Sequence, residues 1–237
     1  QSDLRGFYRR VQHGLPYVSL KIATSLDNQI ADATGNARWI TGPAARAHGH
    51  RLRATHDAVL TGIGTVLADD PLYTVRLPGM SHERFVRVVA DRSLRLPLHC
   101  QLVKTAKQQP LWVITTARAV EENASHATQL REHGVSLHVV ADNTLEPKSM
   151  LKLLSSQGLT RVLIEAGAAL TTAFLDAKCV DTLHWYRAPI MLGNAGQPAV
   201  AALDTALHQT KHAKLAEQRR IAGDTYERYE LTTCLPA

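Results

Sequence analysis

Beyond Pro16 the chain reads as short apolar runs rich in valine, isoleucine and leucine. Between them lie longer segments whose apolar residues recur every three or four positions. The short runs predict strands over Tyr17 to Ala23, Ala58 to Thr61, Val86 to Ala90, Leu111 to Thr115, Ser136 to Val140, Val162 to Ile164 and Thr182 to Tyr186. The longer segments predict helices over Pro43 to Thr55, Glu121 to His133, Lys148 to Gln157 and Ala168 to Lys178. Pro43 suits a first helical position, and Gly134 and Gly158 are placed to end their helices. Alternation of this kind predicts an α/β domain with a mostly parallel sheet and helices on both faces. Leu215 to Thr232 differs: two polar runs meet at Gly223-Asp224, which predicts a C-terminal antiparallel hairpin. Residues 1–15 carry Arg5, Arg9 and Arg10 around Phe7 and Tyr8 and read as a linker; residues 16–237 read as one domain.

Composition narrows the classes. No apolar stretch approaches the ~20 residues a membrane span needs, and Gln1 to Arg5 has no apolar signal core, so a cytoplasmic protein is expected. Cys100, Cys179 and Cys234 are odd in number and far apart, which suits a reducing compartment and gives no disulfide framework. The net charge of +6 favours an anionic partner. Its cations are dispersed rather than interleaved with aromatics, which argues for phosphate-bearing small molecules over nucleic acid. Of the twelve histidines, His48 and His50 are two apart and fall on different helix faces, and no His/Cys pairing at metal-ligand spacing occurs. No catalytic metal is expected.

Two segments carry the candidate chemistry. Val162 to Ile164 runs into Glu165, turns at Gly167, and opens a helical pattern at Ala168. Buried parallel strands present ligand-binding residues at their C-terminal ends in this way, and the following helix start offers free N–H groups to an anion. The second segment follows the strand at Ala58, turns through Gly62 and Gly64, and makes a helical turn stopped by Pro71, supplying Thr65, Asp69, Asp70 and Arg76. It lacks the third glycine of the dinucleotide fingerprint, which disfavours an ordinary Rossmann dehydrogenase; a tight turn with a solvated acidic tip fits the spacing equally well. Lys21 is a lone cation in the first strand, either a snorkelling edge residue or the partner of a ligand anion or of Glu165. Arg46, His50 and Arg53 share one helix face that spacing alone reads as solvated.

The ordered motifs Pro16-Tyr17-Val18-Ser19-Leu20-Lys21, Ser25-Leu26-Asp27, Trp39-Ile40-Thr41-Gly42-Pro43, Gly64 to Pro71, Glu165-Ala166-Gly167 and Ala188 to Gly193 resemble the pyrimidine reductase of riboflavin biosynthesis. That reductase forms the C-terminal half of a bifunctional deaminase/reductase and has a dihydrofolate-reductase-like fold. The deaminase signature, H-x-E with P-C-x-x-C, does not occur in these residues, so the chain is expected to be an excised half or a single-domain reductase.

The resemblance implies NADPH-dependent reduction of 5-amino-6-(5-phosphoribosylamino)uracil by a homodimer. It places Lys21 and Glu165 at the reacting sugar and Arg53 and Arg76 on the 5′-phosphate, with Ala37, Thr41 and Tyr73 beside the substrate. Trp39, Thr65, Asp69 and the run Gly167, Ala168, Ala169, Leu170, Thr171, Thr172 and Ala173 would contact the dinucleotide. Leu170 and Ala173 read equally as the core face of that helix, and Trp39 as a core aromatic. Arg92 is a candidate for the 2′-phosphate. The chain departs from the family pattern at Ala37, where a serine is usual, at Asn28, where a glycine is usual, and at Tyr73, where a leucine is usual. These departures leave open a still-undeaminated diaminopyrimidinone substrate, or a ligand-binding or dimerisation domain without turnover.

Overall fold

A computed structural model describes residues 4–80, 85–140, 143–203 and 213–231. In chain order the elements are α1 (Arg5–His13), β1 (Tyr17–Thr24), β2 (Gln29–Ala31), α2 (Pro43–Ala54), β3 (Ala58–Gly62) and α3 (Ile63–Asp69). They continue with β4 (Val86–Ala90), α4 (Gln101–Lys104), β5 (Leu111–Thr116), α5 (Ala117–Glu122), α6 (Ala124–Glu132), β6 (Val135–Val140) and α7 (Pro147–Ser156). The last are β7 (Arg161–Ile164), α8 (Ala168–Asp176), β8 (Thr182–Arg187), β9 (Gln197–Pro198), β10 (Lys214–Ile221) and β11 (Asp224–Glu230).

Nine strands form one sheet in the order β10-β11-β8-β1-β7-β3-β4-β5-β6. Every pair from β8 to β6 is parallel, and only the hairpin, β10 with β11 and β11 with β8, runs antiparallel. The chain builds outward from β1 through β3 to β6, then returns to insert β7 between β1 and β3. That reversal leaves a crevice beyond the C-terminal ends of the central strands, where open α/β sheets bind ligands.

Successive side chains of a strand point to opposite faces, and the core divides accordingly. Val18, Leu20, Ile22, Leu60, Val162 and Ile164 pack with Met150 and Leu154 of α7 and Phe174 of α8. Val59, Val89, Val113 and Leu163 pack on the other face with Val66 of α3, Leu102 of α4 and Leu130 of α6. A third, smaller cluster joins Ala45 of α2 to Tyr186 and Tyr226.

The mostly parallel sheet and the terminal hairpin agree with the sequence expectation. The helix expected over Glu121 to His133 is instead two, α5 and α6, meeting at Asn123. Thr116 starts α5 early because its hydroxyl accepts the Ala119 N–H at 3.1 Å. Within the segment expected as a linker, residues 5–13 form α1, whose Gly6 and Arg9 are buried while Leu4, Phe7, Tyr8 and Val11 stay exposed. The Thr232 end of the hairpin expectation and Cys234 lie outside the described residues; Cys100 and Cys179 are buried.

Arg87 is the largest fully buried side chain, with no acidic partner among the described residues. Oxygen atoms meet both terminal nitrogens instead: Nη1 donates to Thr105 Oγ1 at 2.6 Å, and Nη2 to the Gln109 carbonyl at 2.5 Å and the Thr105 carbonyl at 3.2 Å, while Nε has no hydrogen-bond partner among the described residues. Burial lowers its pKa to about 10. Replacing Arg87 by Met would leave those carbonyls buried without donors. A stability loss on the order of 3 kcal/mol is expected, and urea unfolding would check it; a change below about 1 kcal/mol would mean that water reaches the carbonyls.

Candidate functional site

The crevice is a cleft of about 640 Å³ on the face that carries α2. Lys21 and Ala23 enter from β1, Tyr186 from β8 and Glu165 from the end of β7. Alternation explains the set: while Leu20 and Ile164 pair across the two strands toward the core, the next residue on each, Lys21 and Glu165, faces the cleft.

Glu165 and Arg53 form a bidentate pair. Arg53 Nε donates to Glu165 Oε1 at 2.6 Å and Nη2 to Oε2 at 2.8 Å, with the side chains only 16% and 10% exposed. Burial raises the Glu165 pKa, but the Arg53 charge and fork, helped by Lys21, more than reverse this and hold it at about 2. The carboxylate is therefore ionised, and both oxygens are engaged. The Arg53 fork, expected at a substrate phosphate, is here engaged by Glu165, and Nη1 donates to the Thr74 carbonyl at 3.1 Å.

Tyr73 braces this pair. Its hydroxyl lies 3.0 Å from both Thr61 Oγ1 and the Glu165 carbonyl oxygen; a carbonyl only accepts, so the phenol proton goes there. The Arg53 guanidinium sits 5.1 Å over the Tyr73 ring. The hydroxyl is thus committed within the protein, which leaves only the ring of Tyr73 to face the cleft. Its backbone is left-handed (φ 46°), as is that of Asp70 (φ 41°), so irregular contacts hold this stretch in place: Asp70 Oδ1 accepts the Gln101 N–H at 2.8 Å, and Arg87 and Gln109 reach the Leu72 and Tyr73 carbonyls at 3.4 Å.

Lys21 behaves differently. Burial lowers its pKa, Glu165 opposes that shift, and Arg53 adds to it. Its Nζ lies 5.8 Å from the Tyr186 ring centroid, and among the described residues no hydrogen-bond acceptor meets it. Three donors therefore face the cleft uncommitted.

At the other end of the cleft, α8 begins at Gly167 with no side-chain cap and no acid in its first turn, so the N–H groups of Ala168, Ala169 and Leu170 are available to an anion. Gly167 donates to Thr65 Oγ1 at 3.1 Å, which ties this turn to α3. A dinucleotide diphosphate fits this donor set, and Asp69 and Trp39 also line the cleft. Trp39 is 64% exposed, so it is no core aromatic, and the Arg46 guanidinium lies 4.4 Å from its ring centroid while Nη1 donates to the Thr41 carbonyl at 2.7 Å. Asp224 of the hairpin accepts the Gly42 N–H at 2.7 Å and so fixes the entry to α2.

Of the residues expected from sequence, Lys21, Ala37, Trp39, Thr41, Arg53, Thr65, Asp69, Tyr73, Arg76, Glu165, Gly167 and Thr171 line this cleft. Arg76 is exposed on its rim. Thr172 turns away to accept the Ala201 N–H at 2.8 Å, Leu170 packs against the core, and Ala173 does not line the cleft. Arg92 is exposed beyond β4 and is not part of the lining.

Arg46 and His50, read from spacing as a solvated face, line the cleft instead, a correction that follows from how α2 is rotated on the sheet. Thr34, Gly35, Gln197 and Ala199, grouped at the β2–β9 ribbon, were missed because no local pattern marks them. Asn28 adopts φ 64°, the backbone of the glycine it replaces, and Asp27 organises its loop by accepting the Gly193 N–H at 2.6 Å. His48 points away, 2.7 Å from Tyr186 Oη and 2.8 Å from Arg219 Nη2.

Comparison with known proteins identifies the family. The family model described as the RibD C-terminal domain matches residues 16–225. The riboflavin biosynthesis protein RibD of Bacillus amyloliquefaciens is 35% identical over 194 residues, 82% of this chain and 51% of its own length. Among solved structures, Acinetobacter baumannii RibD superposes with a TM-score of 0.84 at 34% identity, covering 97% of this chain and 62% of that one. A deaminase/5-amino-6-(5-phosphoribosylamino)uracil reductase from Thermotoga maritima superposes with a TM-score of 0.80 at 26% identity, covering 95% and 59%. The chain spans about half the length of the curated relatives it matches.

Proposed function

Because the chain belongs to the RibD C-terminal domain family, we propose that it is a pyridine-nucleotide-dependent reductase of riboflavin biosynthesis, acting on 5-amino-6-(5-phosphoribosylamino)uracil. The observation that carries this reading is the pairing, in one cleft, of an uncommitted Lys21 ammonium beside the Arg53–Glu165 pair with an uncapped, acid-free helix start at Gly167. The first suits a sugar that must open; the second suits a diphosphate.

The ribosylamine opens when the bond from C1′ to the ring oxygen breaks and a C1′=N imine forms. Lys21 donates a hydrogen bond to the departing ring oxygen and favours its protonation. Glu165, fixed by Arg53, keeps a negative charge beside the Lys21 ammonium and the developing iminium. The bound nucleotide supplies the hydride, which no protein side chain can. Trp39 is exposed and offers a planar ring to stack on, with the Arg46 guanidinium over one of its faces.

NADPH in preference to NADH belongs to this reading, as does a homodimer, which the outer edge of β10, paired with no further strand among the described residues, suits. So does a cytoplasmic location, and among the described residues no helix is long and apolar enough to cross a membrane. Steady-state oxidation of NADPH and NADH, each with the deaminated and undeaminated pyrimidine, tests the activity; no turnover with either pyrimidine would remove it. Light scattering showing only monomer at micromolar concentration would remove the dimer.

Arg76 binds the 5′-phosphate in this reading. It sits on the rim, so truncation leaves no buried charge behind. Arg76→Ala is expected to raise the substrate constant by about thirtyfold, roughly the 2 kcal/mol of a charged hydrogen bond, with nucleotide affinity little changed. Lysine should rescue only in part, lacking the fork. Loss of nucleotide binding with an unchanged substrate constant would contradict the assignment.

A further inference from the structure

His50 lines the cleft one residue beyond Gly49, whose added Cβ would lie 4.0 Å from Lys21 Cε. It therefore stands between the Lys21 ammonium and the stretch from Thr74 to Arg76. Its Nδ1 is 2.8 Å from the Thr74 carbonyl oxygen. That oxygen only accepts, and it is much nearer than the other neighbour of Nδ1, the Arg53 Nη1 donor at 3.4 Å, so Nδ1 carries the proton and donates it to Thr74. Burial and the adjacent Arg53 charge lower the pKa of the ring, which keeps it neutral. In this tautomer Nε2 is a bare acceptor, and no described group meets it.

An acceptor at this place is unusual because its neighbours are donors. Lys21, Arg46, Arg53 and Arg76 can only donate, and the Glu165 oxygens are both taken by Arg53. A phosphate oxygen would oppose the Nε2 lone pair. The group that completes it must bring a hydrogen, and between a phosphate held at Arg76 and a reacting carbon at Lys21 lies the hydroxyl-bearing carbon chain of a pentose. We infer that His50 is a substrate-specificity residue, its Nε2 accepting a hydrogen bond from a pentose hydroxyl and so distinguishing the ribose-derived substrate from deoxy analogues. The inference deepens the reductase reading above and rests on it.

The test separates the two ring nitrogens. In His50→Asn the side-chain amide can still donate to Thr74, but nothing remains at the position of Nε2. This variant should keep the melting temperature within a degree or two of the unaltered chain. Its kcat/KM for the ribosylaminopyrimidine should fall about tenfold, the effect of one neutral hydrogen bond. His50→Gln, which restores a polar oxygen near that position, should recover part of the loss. The unaltered chain should discriminate against either the 2′-deoxy or the 3′-deoxy substrate by a similar factor, and His50→Asn should abolish that discrimination. Equal kcat/KM for His50→Asn and the unaltered chain, or a deoxy penalty that persists in the variant, overturns the inference and leaves the reductase reading standing. No turnover by the unaltered chain overturns both.

Discussion

Glu165→Gln is expected to destabilise the protein by about 3 kcal/mol at neutral pH, because it leaves the buried Arg53 guanidinium without its counter-charge. Glutamine can accept one of the two Arg53 donors, but its amide presents N–H groups to the other. The same change removes the negative charge beside Lys21, so the Lys21 pKa, already lowered by burial, should fall further, and turnover should fall with it. The effect has a pH signature. A carboxylate held at about 2, against an ordinary 4.5, contributes stability that is complete above the ordinary value. That contribution declines as pH falls below 4.5 and is gone once pH passes the folded value near 2. The stability gap between the unaltered chain and Glu165→Gln should therefore be widest at neutral pH and shrink steadily on acidification. Urea unfolding at a series of pH values would measure it. A gap that stays constant from pH 7 to about pH 3 would mean that the carboxylate is not held ionised by Arg53.

Lys21→Met is expected to have the opposite profile, with a large loss of activity and little loss of stability. Taking a desolvated ammonium out of the cleft removes an electrostatic penalty, so the folded state should be as stable as before or more so. Turnover should drop by about 10²–10⁴-fold, the usual contribution of a positioned proton donor. Arginine should not restore it, since its guanidinium is larger and does not release a proton near neutral pH. The charged form of Lys21 exists below its pKa, so the rate of the unaltered enzyme should fall on an alkaline limb that lies below the ordinary lysine value of 10.5 and is absent from Lys21→Met. Single-turnover kinetics with NADPH in excess would isolate the step. Normal turnover in Lys21→Met would remove Lys21 from the chemistry.

The sheet was readable in the sequence because its strands are punctuated: apolar runs end at Gly62, Glu165 or the Asp27 loop, and helices end at Gly134 and Gly158. What local pattern does not encode is rotation. The face Arg46–His50–Arg53 is visible as a stripe, but whether it meets water or the cleft depends on how α2 docks against Tyr186 and Tyr226, which lie far along the chain. The Arg53–Glu165 pair, 112 residues apart, was invisible for the same reason; two residues each suited to a ligand satisfy one another instead. Arg87 shows a second limit. A charged residue inside Val86 to Ala90 gave no local sign that carbonyls of a later segment would surround it. Gln197 could not be found because β9 is too short to leave a periodic signal.

A strand well inside the sheet precedes both of its neighbours in the chain. β1 pairs with β7 and β8, and the contact between Val18 and Asp181 closes a loop of 163 residues. During synthesis β1 therefore emerges with both edges open and stays so until most of the chain has followed. Folding dominated by such distant pairing is slow. Meanwhile Val18, Leu20 and Ile22, wholly covered in the finished sheet, are exposed in a run that can pair with another chain. The architecture that puts Lys21 in the cleft thus leaves its strand open to aggregation while the polypeptide is being made.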